Sequence, residues 1–237
     1  MTSRRRNKKT KQPFRVFIKF STILVALLLS VTLIQVVSLR FINPPFTMKW
    51  VWDYVNHLII SEPYHQPAFI WRPLEEISPH LRRAVLAAED QRFLEHHGFD
   101  MVETRQAAQD ILTERRLRGA STISMQTART VYLLPKRSIF RKVMEAYYTL
   151  LIELLWNKKR ILEVYLNTVD WGTGVMGAEA AARVYFKRHS DELSSRQSAL
   201  LASVLPNPHR LSPVKPDKYV KGRARRILTD MNLMPLL

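Results

Sequence analysis

Glu89 has the type and position that proton transfer would require. Leu81, Val85, Glu89 and Phe93 recur at every fourth position of SPHLRRAVLAAEDQRFLEHHG, Ser78 to Gly98. At about 3.6 residues per turn they form one helical stripe, and three of its four members are apolar. A carboxylate on such a face is drawn out of water. Burial favours the protonated acid and lifts the pKa toward the range a general acid or base needs near neutral pH. A rim carboxylate paired with Arg82 or Arg92 fits the same spacing, because structural ion pairs also perturb acids.

A second set of residues suits an anion. Arg141 and Glu145 are four apart and share a helix face, with Lys142 adjacent. Met144, Tyr148 and Leu151 make that helix read as largely buried, and Arg129, Lys136 and Arg137 precede it. Cations beside a carboxylate in a cleft suit a leaving diphosphate. The plainer alternative is a surface ion pair worth ~0–1 kcal/mol. The stretch Gly119–Gln126, next to Arg118, reads as a loop whose glycine, serine and threonine can meet phosphate. It is not a P-loop, because G-x-x-x-x-G-K-[ST] is absent. His96 and His97 diverge on a helix, whereas chelation prefers i, i+4, so they read as capping or packing histidines. Glu163 and Asn167 share a face and read as a structural hydrogen bond.

The elements that must position these residues are helical. Ser78 caps and Pro79 opens the first helix, with Gly98 placed to follow its last turn. Met101–Glu114 reads as helix. Ser138 caps IFRKVMEAYYTLLIELLW and Asn157 ends it; Lys158–Asn167 forms the next helix. Asp170–Gly177 holds three of the six glycines and reads as a loop. Ala178–Phe186, Ser194–Leu205 and Tyr219–Met231 complete the pattern. No run alternates with period two, so the class is mainly α.

Phe20–Leu39 carries no charge over 20 residues, enough helix to cross ~30 Å of hydrocarbon. The following RFINPPF is a poor cleavage site, so the segment reads as an uncleaved anchor. The chain's formal charge is +17, and eight basic residues with no acid lie in Met1–Lys19. This cationic flank, unstructured to about Pro13, predicts a cytoplasmic N-terminus and an outward domain. The boundaries read as a basic tail over 1–19, a transmembrane helix over 20–39, a connector over 40–73, a domain over 74–213 and a helical extension of it over 214–237. The connector is irregular, with Pro44, Pro45, Pro63, Pro67 and Pro73. Its Trp50, Trp52 and Tyr54 suit either the membrane boundary or packing on the domain. The absence of cysteine removes disulfides, thiolate metal sites and thiol nucleophiles.

Four ordered motifs resemble those of the family 51 glycosyltransferases, the peptidoglycan polymerases. Glu89-Asp90-Gln-Arg-Phe93-Leu-Glu-His96-His-Gly98 resembles E-D-x-x-F-x-x-H-x-G, and Gly119-Ala-Ser121-Thr122-Ile-Ser-Met-Gln126 resembles G-x-S-T-I-x-Q-Q. Arg141-Lys142-Val-Met-Glu145 matches R-K-x-x-E. Lys158-Lys-Arg-Ile161-Leu162-Glu163-Val-Tyr165-Leu166-Asn167 matches K-x-x-I-L-E-x-Y-L-N. The similarity covers about Leu74–Pro213 and includes no transpeptidase domain. The chain departs at Met125, where Gln is usual, and at Arg129-Thr130, where Lys-Asn is usual. Arg for Lys keeps the charge and changes the donor geometry.

The resemblance implies a lysozyme-like helical glycosyltransferase domain behind one transmembrane helix in the bacterial inner membrane. It implies inverting polymerisation of lipid II, with the growing glycan on undecaprenyl diphosphate as donor. Glu89 would take the proton from the acceptor's 4-hydroxyl. Arg129, Arg137, Arg141 and Lys142 would hold the donor diphosphate, and Glu145 would orient them. Asp90, Phe93, His96, Gly119, Ser121, Thr122, Gln126, Lys158, Glu163, Tyr165 and Asn167 would line the substrate site. No organic cofactor is implied, and a divalent cation, Mg or Mn, is compatible. The implied partners are lipid II, the glycan strand, membrane lipid and other cell-wall or division proteins. A lytic glycan-cleaving enzyme also needs a raised acid, but not cations set for a diphosphate. A basic membrane-tethered scaffold fits the charge, but no nucleic-acid motif accompanies it.

Overall fold

The computed structural model describes residues 11–60, 68–113, 120–136 and 138–237. Gly119, Arg137, Pro63, Pro67 and the tail residues 1–10 lie outside these. The chain divides into two compact units, residues 1–42 and 43–237.

The first unit is helix α1 (Lys11–Phe41). Its Arg15–Phe41 stretch, 27 residues, is long and apolar enough to cross a membrane by length and composition. The helix outruns the expected Phe20–Leu39 at both ends and begins before Pro13. Flanking residues with good helix propensity extend an apolar helix beyond the part that needs hydrocarbon.

The second unit is mainly helical. Residues 43–73, expected to be an irregular connector, include helix α2 (Met48–Ile60) and strand β1 (Ala68–Phe69). Thr47 opens α2 by accepting the Trp50 N–H at 3.2 Å. Helix α3 (Pro79–Glu89) is capped by Ser78, as its sequence predicts. It ends nine residues before Gly98, because Asp90 leaves helical geometry and Gln91–Gly98 follows as turns. Phe93 is buried all the same, in the turn rather than on the α3 stripe. Gly98 adopts φ +90, where an added Cβ would stand 2.8 Å from Thr149 Cγ2. Glycine serves there by turning and by admitting the helix that carries Thr149, not by ending α3.

Helix α4 (Met101–Leu112) is followed by α5 (Ile123–Tyr132). Half of the expected Gly119–Gln126 loop is therefore helix, with Thr122 as its cap. Helix α6 (Ile139–Leu155) is capped by Ser138. It buries one face, through Glu145, Tyr148, Thr149 and Ile152, and leaves Phe140, Val143, Leu150 and Leu154 exposed. It is thus half-exposed rather than largely buried. Asn157 does not end α6. It caps α7 (Lys158–Thr168), accepting the Arg160 N–H at 2.8 Å.

The glycine-rich Asp170–Gly177 forms strands β2 (Asp170–Gly172) and β3 (Val175–Met176) rather than a plain loop. β3 pairs antiparallel with β2 and parallel with β1, Ala68 opposite Val175 and Phe69 opposite Met176. Helix α8 (Ala178–Ala181) widens into a π turn over Ala182–Phe186. Helices α9 (Ser195–Val204) and α10 (Lys218–Asp230) follow. α9 packs on α3 and α10, while α5 packs on α6 and α7. Leu81, Val85, Leu201, Val204 and Ile227 fill the first set; Ile123, Ala128, Ile152, Ile161 and Leu162 fill the second.

Candidate active site

Glu89 is the last residue of α3, at the seam between these two helix sets. Its side chain is 15% exposed. From the second set, Gln126 on α5 donates Nε2–H to Glu89 Oε2 at 3.0 Å. From the first set, Arg223 on α10 donates from Nη2 to Glu89 Oε1 at 3.1 Å and to the Ala88 carbonyl at 3.1 Å. The hydroxyl of buried Tyr165, on α7, donates to Gln126 Oε1 at 3.3 Å. With a donor on one side and an acceptor on the other, the Gln126 amide has one workable orientation. Arg129 lies three residues beyond Gln126, on the same side of α5.

Burial pushes the Glu89 pKa above the ordinary carboxylate value. The Gln126 hydrogen bond and the charges of Arg223 and Arg129 pull it down, and neighbouring Asp90 adds to the rise. The net shift is upward. The expected partners Arg82 and Arg92 are elsewhere: Arg82 Nη1 donates to the Leu237 carbonyl, and Arg92 pairs with Glu95 at 2.9 Å. The periodicity argument that singles out Glu89 on α3 applies equally to Arg223 on α10. Val220, Ala224, Ile227 and Met231 are the buried stripe of α10 and its following turn. Arg223 takes a slot on that stripe, three residues after Val220 and four before Ile227.

Just past Glu89 the chain is braced from within. Asp90 faces His96 Nε2 at 2.9 and 3.1 Å and accepts the Ile123 N–H at 2.9 Å. This ties the turn to the start of α5. Thr122 accepts the Met125 N–H and donates to the Gly98 carbonyl at 2.6 Å. Lys158 donates to the His96 carbonyl at 2.7 Å and to Glu153 at 2.8 Å, with its ammonium 4.4 Å from the Phe93 ring centroid. Ser124 also donates to Glu153. Asp90, Phe93, His96, Thr122 and Lys158 therefore act here as framework. Ser121 precedes the cap and is half-buried, its carbonyl 3.5 Å from Gln126 Nε2. Met125 is buried, so an apolar side chain suits the position where the motif usually has Gln.

On α6, Glu145 is fully buried and divided between two cations. Arg141 Nη1 donates to Oε2 at 2.9 Å and Lys142 Nζ to Oε1 at 2.7 Å. Each cation keeps further donors for an anion. Tyr165 faces Gln126, but Glu163 and Asn167 lie on the other side of α7. Glu163 pairs with Arg160 at 2.5 Å. Asn167 Nδ2 donates to the Arg72 and Glu163 carbonyls at 2.8 Å, and its Oδ1 accepts the Arg72 N–H at 2.8 Å. Among the described residues no cluster of three or more His, Asp or Glu is placed to hold a metal ion. The carboxylates nearest the site already have partners of their own, so no step is assigned to a metal.

A lysozyme-like helical body with a raised, clamped carboxylate and a carboxylate-held pair of cations defines a glycan-transferring class of protein. The sequence model of the Transglycosylase family matches residues 56–232, and the chain belongs to that family. A relative named biosynthetic peptidoglycan transglycosylase in Bacteroides thetaiotaomicron is 41% identical over 225 residues, 94% of this chain and 90% of the relative. Relatives of the same name occur in Aeromonas hydrophila, 46% identical over 88% of this chain and 87% of the relative, and in Pseudomonas aeruginosa, 44% identical over 86% and 87%.

Proposed function

We propose that this chain polymerises lipid II into the glycan strands of peptidoglycan, held in the bacterial inner membrane by α1 with its N-terminus cytoplasmic and its catalytic body on the outer side. The observation that carries the proposal is Glu89, raised by burial yet kept ionisable by Gln126 and Arg223 at the seam of the two helix sets. Ionised Glu89 takes the proton of the acceptor's 4-hydroxyl as that oxygen attacks the donor's anomeric carbon. The bond from that carbon to the diphosphate oxygen breaks, its electron pair leaves with undecaprenyl diphosphate, and the centre inverts. Negative charge grows on the departing diphosphate. Arg129, Arg137, Arg141 and Lys142 meet it, with Glu145 fixing the last two. No organic cofactor enters this scheme.

The family match and the relatives support the reaction. The apolar length of α1 supports the anchor, and the exposed apolar face of α6 suits a body working beside lipid. The test is the full chain with purified lipid II. Polymer should form with the wild-type chain, and Glu89→Gln should slow it by ~10²–10⁴-fold with folding intact. Absence of polymer from folded wild-type protein overturns the proposal.

A further inference from the structure

Helix α2, MKWVWDYVNHLII, is amphipathic, and it faces the wrong way for a helix packed on a protein. At 100° per residue Met48, Val51, Trp52, Val55, Leu58 and Ile59 fall within an arc of about 120°. Lys49, Asp53, Asn56 and His57 occupy the opposite side. A surface helix normally turns its apolar side to the core. Here the polar side and the N-terminus make the attachments. Lys49 Nζ lies 2.6 Å from Asp53 and 3.6 Å from Asp170 on β2. Thr47 is buried, and the Trp50 ring lies 6.2 Å from that of Phe69 on β1. Met48, Val51 and Trp52 of the apolar arc are half-buried, and its C-terminal part is left outside: Val55 is 38% exposed, Leu58 63% and Ile59 74%.

We infer that α2 is an in-plane membrane helix whose Val55–Leu58–Ile59 face lies among lipids at the bilayer surface. The inference rests on the reading of α1 as a membrane anchor. Ile42–Thr47 is the whole connection between the two helices. At most ~3.6 Å per residue, a connection of this length is a short tether between an anchor and the helix that follows it. Exposed apolar side chains run from the last residue of α1, Phe41, onto that connection at Ile42 and Phe46. Trp52 and Tyr54 fall at the two edges of the apolar arc, where amphipathic rings prefer the membrane–water boundary. Because α2 is fastened to the sheet, its seating in lipid sets the height and tilt of the catalytic body above the membrane that carries a lipid-linked substrate.

The chain has no cysteine, so single positions can be labelled in the full-length protein. Ala26→Cys, Leu58→Cys and Ile59→Cys, each carrying an environment-sensitive fluorophore, are reconstituted into phosphatidylethanolamine/phosphatidylglycerol vesicles. Nitroxide-labelled lipid should quench most of the emission at all three positions, while aqueous iodide should quench little. Quenching at Ala26 with iodide-accessible Leu58 and Ile59 overturns the inference while leaving the anchor intact. Leu58 and Ile59 shielded from both quenchers also overturn it, and assign the face to protein such as a second copy. Iodide quenching at Ala26 overturns the anchor reading itself. In a second measurement, Leu58→Lys with Ile59→Lys should slow polymerisation of bilayer-embedded substrate severalfold and leave the detergent-solubilised rate unchanged. Equal rates in both settings count against the inference.

Discussion

Arg223 holds its guanidinium 3.1 Å from the Glu89 carboxylate across 134 residues of chain. Two effects of opposite sign meet at that contact. Burial raises the Glu89 pKa, whereas the Arg223 charge lowers it and keeps the ionised form within reach. A general base works only when ionised, so the rate should fall as pH drops through the Glu89 pKa. That limb lies above the ordinary carboxylate value of 4.5. Arg223→Gln removes a lowering charge and should carry the acid limb of kcat/KM to higher pH. A pH–rate profile checks this, and an unmoved limb would separate Arg223 from Glu89 ionisation.

Glu145 supports a prediction about the cations. It is fully buried and shared between Arg141 and Lys142. Glu145→Gln keeps the shape and removes the charge that fixes both. Charged hydrogen bonds are worth ~1.5–3 kcal/mol, so we expect a comparable loss of stability. A drop of roughly ten- to a hundred-fold in kcat should accompany it, if those cations meet charge that builds as the bond breaks. Thermal unfolding and steady-state kinetics measure the two effects separately. A stability loss with unchanged kcat would confine Glu145 to the fold.

The parts of this architecture that were legible in the sequence are those set by local rules. Ser78 and Ser138 announce helix starts because a side-chain oxygen meets the first free N–H groups wherever the chain goes next. Glu89 was visible because a carboxylate interrupts an apolar period. Other features depend on distant chain. The end of α3 is decided by Asp90, which turns to meet His96 and the N-terminus of α5. The Asp170–Gly177 hairpin needs β1 alongside β3, more than a hundred residues away in sequence. Motif spacing also did not separate Tyr165 from Glu163 and Asn167, because facing depends on which neighbour each side of α7 meets. Arg223 was hidden in a run of basic residues that reads as a solvated face, although its slot on the α10 stripe was open to the argument that singled out Glu89.

Glu179 predicts an acid-sensitive fold. It is fully buried on α8, where burial alone would raise its pKa. Hydrogen bonds from the Ser190 N–H, Arg183 and Arg72 outweigh this and bring it down to about 2. A depressed acid stabilises the fold above its unfolded pKa, and the contribution is lost as pH falls through the folded value. The contribution should therefore be complete above about pH 5 and decline toward pH 2. Glu179→Gln should unfold more readily at pH 7, and its stability should vary less with pH below 5. Denaturant titrations at several pH values test this. Parallel wild-type and variant curves through that window would remove Glu179 as the cause.

Arg129 stands where the family motif usually has Lys, which makes its charge and its shape separately testable. It lies one turn after Gln126 on α5 and is half-buried, and its charge contributes to lowering the Glu89 pKa. A flexible ammonium and a planar guanidinium can both face a diphosphate, but only the guanidinium forms a bidentate fork. Arg129→Lys should therefore retain most activity and Arg129→Ala should lose much more, roughly ten- to a hundred-fold for a charged hydrogen bond made chiefly in the transition state. The loss should appear in kcat as well as KM, because charge builds on the departing diphosphate. The Ala variant should also shift the acid limb upward, since one of the charges that lower the Glu89 pKa is gone, whereas Lys should leave it near the wild-type position. Near-wild-type rates and unshifted limbs in both variants would mark Arg129 as a surface cation and take it out of the site.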